Sequence, residues 1–182
     1  MAKKAENKIE WYIKEIPKLI QYIDSNSLFN VSNLLARTTG RIYICGNGGS
    51  SCTAQHISED FRLLCGLDTH CLSDNIGCIT AIANDVNYES IFSLQLKEFA
   101  THRDILIVIS GSGNSMNIIR AIETAKEIGM WIIAIVGTSG GKVKKMKVND
   151  LFHIRTDMQH FEDFSLILGH ILTINMIDDN YE

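Results

Sequence analysis

Apolar residues along this 182-residue chain recur first at helical and then at strand intervals. Ile9, Tyr12, Ile13, Ile16, Leu19, Ile20 and Ile23 lie three or four residues apart, which places most of them on one helical stripe. Helix is expected across 7–38, broken at Ser25-Asn26-Ser27 and resuming to about Ala36. Beyond it, short apolar runs predict strands at 41–45, 69–72, 104–109, 131–136 and 151–154. Helical patterns fall between them at 52–64, near 76–83, at 88–100, at 114–128, near 141–147 and at 161–177. Trp131–Val136 is apolar throughout, as a central strand covered on both faces must be. The alternation predicts one α/β domain over residues 1–182. Its expected form is a five-stranded parallel sheet flanked by helices, a flavodoxin-like three-layer sandwich with an N-terminal helical extension. So small a sheet does not need helices 7–38 for cover, so they are expected in an oligomer interface.

Two of the predicted strands end in the same device. Arg41–Cys45 runs into Gly46-Asn47-Gly48-Gly49-Ser50-Ser51, and Asp104–Ile109 runs into Ser110-Gly111-Ser112-Gly113-Asn114-Ser115. Glycine permits a tight turn and close backbone approach to a ligand. The helix that follows offers unpaired N–H groups and the positive end of its dipole, and serine adds small donors. In parallel sheets ligands bind beyond the carboxyl ends of the strands, where both turns fall. The pair therefore predicts a cradle for one phosphorylated small molecule. It is not a dinucleotide fingerprint, because Ser51 and Met116 stand where the third glycine belongs, and neither turn has the G-K-[ST] of a nucleotide phosphate loop.

Composition narrows the class. Hydrophobic residues make up 46% and charged residues 21%, with Pro17 the one proline, which is a globular composition. A net charge of −4 without a block of like charge predicts no nucleic-acid partner. Lys142, Lys144, Lys145 and Lys147 form a basic patch that reads as a solvated turn. No membrane association is expected, since no apolar stretch approaches bilayer length and Met1–Glu6 lacks a signal-peptide core. Five cysteines without a CxxC pair predict reduced, mostly buried thiols in the cytoplasm, with a packing role for Cys52.

Chemistry concentrates on two helices. His56 and Asp60 are four apart and share a face, while Glu162, Asp163 and His170 lie on the last helix. Such a set suits either a metal site or acid–base work. By spacing alone Asp163 shares a stripe with His170, and Glu162 is turned away from it. Taken singly, each residue also fits a solvated or helix-end role. His170 stands out because Leu166–Leu172 is otherwise so apolar. His70, His102, His153 and His160 are expected at surface or structural positions.

The chain resembles the sugar isomerase (SIS) domain, and within it the phosphoheptose isomerases. Gly46-Asn47-Gly48-Gly49-Ser50, Ala83-Asn84-Asp85, Ser110-x-Ser112-Gly113-Asn114-Ser115, Gly137-x-x-Gly140-Gly141-Lys142 and Leu168-Gly169-His170 match in order, over about residues 7–177. The resemblance implies that Ser110, Ser112, Ser115 and the Gly111 amide hold a sugar phosphate. Asn47, Gly48, Gly49 and Ser50 would line the sugar, with Asn84 and Asp85 arriving from a neighbouring loop. It implies one zinc per subunit on His56, Asp60, Glu162 and His170, with Asp60 and Glu162 also at the substrate. Asp60 is the expected base and His170 the expected acid. The implied reaction converts sedoheptulose 7-phosphate to D-glycero-D-manno-heptose 7-phosphate, supplying heptose for surface polysaccharide, in a homotetramer. Asp60 replaces the family's glutamate, Glu162 its glutamine and Leu64 its arginine, with Arg62 nearby. Two other readings remain open at this point: a non-catalytic adaptor or sugar-phosphate sensor, and an isomerase of another phosphosugar.

Overall fold

Aliphatic runs with opposite faces both apolar assemble into one parallel sheet, ordered β2-β1-β3-β4-β5. A computed structural model describes residues 7–21 and 23–177. The strands are β1 (Ile42–Gly46), β2 (Thr69–Cys71), β3 (Ile105–Ser110), β4 (Trp131–Val136) and β5 (Asp150–His153). The helices are α1 (Lys8–Ile20), α2 (Ser25–Ala36), α3 (Gly49–Leu63), α4 (Ile76–Asp85), α5 (Ser93–Phe99), α6 (Met116–Ile128) and α7 (Met158–Met176). No helix among the described residues is long and apolar enough to cross a membrane.

Because side chains alternate along a strand, the sheet carries two separate cores. Ile105, Ile107 and Ile109 of β3 join Ile42 and Ile44 against α2, α3 and α7, through Leu28, Leu35, Ile57, Phe61, Phe161 and Leu168. Leu106 and Val108 face the other way with Tyr43 and Cys45, against Phe92, Leu96, Ile118 and Ile122 of the α5–α6 side. From the centre the chain winds outward in both directions, β1 to β2 and β3 to β4 and β5. The adjacent carboxyl ends of β1 and β3 are therefore the point where the winding reverses, the place where such sheets bind ligands.

Local chemistry moves several boundaries from their sequence expectation. Ser25-Asn26-Ser27 starts α2 rather than interrupting a helix, because the Asp24 carboxylate accepts from the Asn26 amide at 3.1 Å and the Ser27 hydroxyl at 2.6 Å. The helix expected at 88–100 is a single 3-10 turn (Tyr88–Ser90) followed by α5, and the one near 141–147 shrinks to a 3-10 turn at Val143–Lys145. The N-terminal pair divides in role. α2 buries Leu28, Val31 and Leu35 as cover for the sheet, whereas α1 buries only Leu19 and exposes Ile9, Ile13 and Ile20. Cys52 is exposed, not packed; Cys45 and Cys71 are buried, and Cys65 and Cys78 partly so.

Candidate active site

The two glycine turns meet at one cavity of about 310 Å³, lined by Asn47, Gly48, Gly49, Ser50, Ile109, Ser110, Gly111, Ser112, Ser115, Met158 and Glu162. The helices that leave these turns, α3 and α6, begin at Gly48 and Ser115 without a side-chain cap. Ser51 N–H is taken by the Gly48 carbonyl and Ile118 N–H by Asn117 Oδ1, so the cavity faces the N–H groups before them, and both positive dipole ends favour an anion. Each terminus is worth only ~0.3–1 kcal/mol at an exposed site, so binding depends on several donors acting together.

The turn after β3 is held from behind. The Ser110 hydroxyl accepts from the Gly113 amide at 3.1 Å, and the Ser112 hydroxyl from the Asn114 amide at 3.1 Å. Asn114 in turn accepts from the Lys142 amide at 3.0 Å, the Val143 amide donates to the Gly113 carbonyl at 3.0 Å, and Thr138 Oγ1 donates to the Gly111 carbonyl at 3.1 Å. Gly113 has φ +62°, and a β-carbon there would strike the Gly140 carbonyl. The glycines after β4 therefore serve backbone-to-backbone packing beneath the turn after β3.

α3 and α7 run side by side in the same direction. At their starts, the Glu162 carboxyl group fills the space a β-carbon on Gly49 would need; two turns later Gly169 sits against Ile57. Beyond the Gly49 contact, His56 Nε2 and His170 Nε2 lie 3.1 Å apart. Asp60 Oδ2 stands 3.6 Å from the first and 3.8 Å from the second. The three donor atoms lie within 4.8 Å of one another. Two imidazoles and a carboxylate are a set that could hold a metal ion, and ligands bonded at about 2.0–2.1 Å around one tetrahedral zinc ion would sit at close to these separations. Asp60 is the most enclosed of the three, its side chain 18% exposed against 48% for His56 and 46% for His170.

Glu162 lies outside this cluster. Eight residues of α7 separate it from His170, an axial rise of about 12 Å, and its carboxylate is committed to the cavity beside Gly49. Asp163, aligned with His170 by spacing, accepts a hydrogen bond from the Tyr12 phenol of α1, which pushes that phenol up to about 12. Asn84 and Asp85 end α4 instead of occupying a loop; they are exposed, bonded to each other at 2.8 Å, and outside the cavity lining. Arg62 donates to the Thr69 carbonyl and so anchors β2 instead of reaching the site.

The remaining histidines are not part of the cluster. His160 is fully buried, with Nδ1 2.5 Å from Asp157 and Nε2 3.0 Å from the Tyr12 carbonyl. Burial pulls it toward the neutral form, but the Tyr12 carbonyl and the Asp157 carboxylate outweigh burial and raise its pKa. His153 bonds the Thr138 carbonyl at 3.0 Å, and His70 pairs with Asp68 at 2.8 Å. His102 is exposed.

Three residues at or behind the cavity escaped sequence reasoning. Met158 and Ile109 line it, and Asn117, only 2% exposed, bonds to Asn47 from the first turn of α6. The available signal for Asn117 was an amide sitting directly before Ile118 and Ile119, on the face that α6 buries.

Comparison with known proteins gives a consistent answer. The SIS domain family model matches residues 12–137. The chain is 38% identical over 138 residues to a phosphoheptose isomerase of Helicobacter pylori (strain P12), spanning 73% of this chain and 72% of that one. Against the phosphoheptose isomerase of Leptospira biflexa the identity is 33% over 174 residues, spanning 92% and 88%. The solved phosphoheptose isomerase of Neisseria gonorrhoeae superposes with a TM-score of 0.85 at 28% identity, over 93% of this chain and 96% of that one. The enzyme from Francisella tularensis does so with the same TM-score at 25% identity. With the two glycine turns at one cavity and the His–Asp–His cluster on the same frame, the chain belongs to the phosphoheptose isomerase family of SIS-domain proteins.

Proposed function

We propose that this protein interconverts sedoheptulose 7-phosphate and D-glycero-D-manno-heptose 7-phosphate, in the cytoplasm. The observation that carries the reading is the layout of α3, whose first turn lines the anion cavity and whose later turns present His56 and Asp60. The rise from Gly49 to His56 is about 10 Å, the order of length of an extended seven-carbon chain. A phosphate held at one end would leave the carbonyl end at the cluster.

Ser110, Ser112, Ser115, the Gly111 amide and the two helix starts hold the phosphate. Asn47, Gly48, Gly49, Ser50 and Glu162 contact the sugar between. Ketose–aldose interconversion needs a base to remove a proton from the carbon beside the carbonyl and an acid to serve the oxygen. Asp60 faces both imidazoles through Oδ2, which leaves Oδ1 to take the proton. His170, half exposed, supplies a proton to the carbonyl oxygen while its Nε2 is free of metal. His56, Asp60 and His170 would also hold a zinc ion; His170 Nε2 would then be a ligand, and polarisation of the carbonyl and the neighbouring hydroxyl by the bound ion would take the place of its proton.

The reading extends to assembly. Ile9, Ile13 and Ile20 on α1 are 68%, 63% and 50% exposed and fall along one side of the helix; packing α1 against copies of itself in a homotetramer would cover them. Turnover of sedoheptulose 7-phosphate by the zinc-supplied protein, lost in Asp60→Ala and His170→Ala, is the expected result. A zinc-loaded protein that turns over no heptose phosphate overturns the reading. A strictly monomeric mass in solution removes the assembly.

A further inference from the structure

The orientation of the Asn47 amide is set by a chain of hydrogen bonds that starts at a group unable to change its role. The Ile118 backbone N–H donates to Asn117 Oδ1 at 3.0 Å, which fixes that atom as oxygen. Asn117 Oδ1 therefore accepts from Asn47 Nδ2 at 2.9 Å, and Asn117 Nδ2 donates to Asn47 Oδ1 at 2.8 Å. The Tyr88 hydroxyl donates to the same Asn47 Oδ1 at 3.1 Å. A carbonyl oxygen has two lone pairs and an amide nitrogen two protons. Both lone pairs of Asn47 Oδ1 are used, as is one Nδ2 proton. One N–H remains, on a residue that lines the cavity.

We propose that Asn117 and Tyr88 are positioning residues that hold Asn47 as a donor only, so that the sugar turn recognises an acceptor oxygen of the substrate. The assignment rests on the isomerase reading for the identity of that substrate. Reversing Asn47 alone would set its oxygen against Asn117 Oδ1, and reversing both amides would set the Ile118 N–H against an NH₂ group. Either change leaves buried polar groups facing their own kind, which is costly beside a 2% exposed residue. The link also joins the two glycine turns, since Asn47 follows β1 and Asn117 opens the helix after β3. It gives an otherwise reversible amide one identity before the ligand arrives.

The test is a double-mutant cycle on Asn117→Ala, Tyr88→Phe and Asn47→Ala, read by steady-state kinetics and by inorganic phosphate binding. Asn117→Ala is expected to lower kcat/KM about tenfold, Tyr88→Phe somewhat less, and neither is expected to weaken phosphate binding. In the Asn47→Ala background both losses should vanish. Full activity in Asn117→Ala, or losses that add to that of Asn47→Ala, would overturn the assignment. The Asn47 side-chain amide, followed by ¹⁵N NMR, provides a readout independent of turnover. Its two protons should be separate and slow to exchange in the wild type and merge toward solvent-exposed behaviour in Asn117→Ala. Unchanged signals overturn the positioning role even if the enzyme is active. Altered signals in a protein that turns over no heptose phosphate would uphold it while the isomerase reading fails. Tyr88→Phe, at an exposed ring, keeps the test open if Asn117→Ala does not fold.

Discussion

Glu162 and Gly49 share one volume: the carboxyl group of the first occupies the position a β-carbon on the second would take. Gly49→Ala must therefore swing the flexible end of Glu162 out of the cavity, at little cost in stability. The expected outcome is a fall in kcat/KM of more than about tenfold with the melting temperature nearly unchanged. Glu162→Ala in the same chain should add little further loss of activity, and kinetics with melting curves of the single and double variants check this.

Metal analysis separates Glu162 from the donor cluster. His56→Ala, Asp60→Ala and His170→Ala should each lose zinc from the purified protein and lower activity by roughly a hundredfold or more, each removing one of the three donors placed to hold an ion. Glu162→Gln should keep its zinc, because its carboxylate lies in the cavity and not among those ligands. Zinc content that falls as far in Glu162→Gln as in His170→Ala would place Glu162 at the ion after all.

Ser110 supports the turn after β3 from a buried position, accepting from the Gly113 amide. Ser110→Ala leaves that amide without its partner, at a cost of about 1–3 kcal/mol. Weaker binding of phosphate and of sugar phosphate in equal proportion is the expected signature, measurable by calorimetry. Loss of sugar-phosphate affinity alone would show that the turn keeps its shape without the hydroxyl.

His160 gives folding stability a specific pH dependence. Its pKa is raised in the folded chain above the ordinary 6.5, so its contribution is complete below that value and declines as pH rises through the folded one. Asp157 is held below the ordinary carboxylate range despite burial working the other way, by its hydrogen bond to His160. Its contribution is present above about 3.9 and fades as pH falls through its lowered value. Denaturant midpoints across pH should show the alkaline decline in the wild type and lose it in His160→Gln. A decline that survives the substitution would assign it to another group.

Much of the fold was legible because a parallel sheet writes itself as aliphatic runs. Trp131–Val136 is the clearest case, its sequence boundaries and its structural ones being the same. Ser25-Asn26-Ser27 shows the limit. Serine and asparagine suit a break and a helix start equally well, and only the carboxylate of Asp24 decides between them. At the site, the glycine turns were readable from local chemistry, as was the pairing of His56 with Asp60. The commitments of Glu162, Asp163 and Asn84 were not. They depend on which element lies alongside: α3 for Glu162, the Tyr12 phenol for Asp163, and open solvent for Asn84. Asn117 was hidden for the same reason, its partner lying 70 residues away.

The glycine turn after β4 rests its own main chain directly on the main chain of the turn after β3. No side chain lies between them at Gly113 and Gly140 to swing aside or rearrange. The cavity between the two turns is therefore preorganised by the scaffold, and little entropy would be spent on shaping it around an anion. Selectivity among sugar phosphates then falls to the groups farther along the cavity, and evolution of substrate preference would be expected there while this double bend stays as it is.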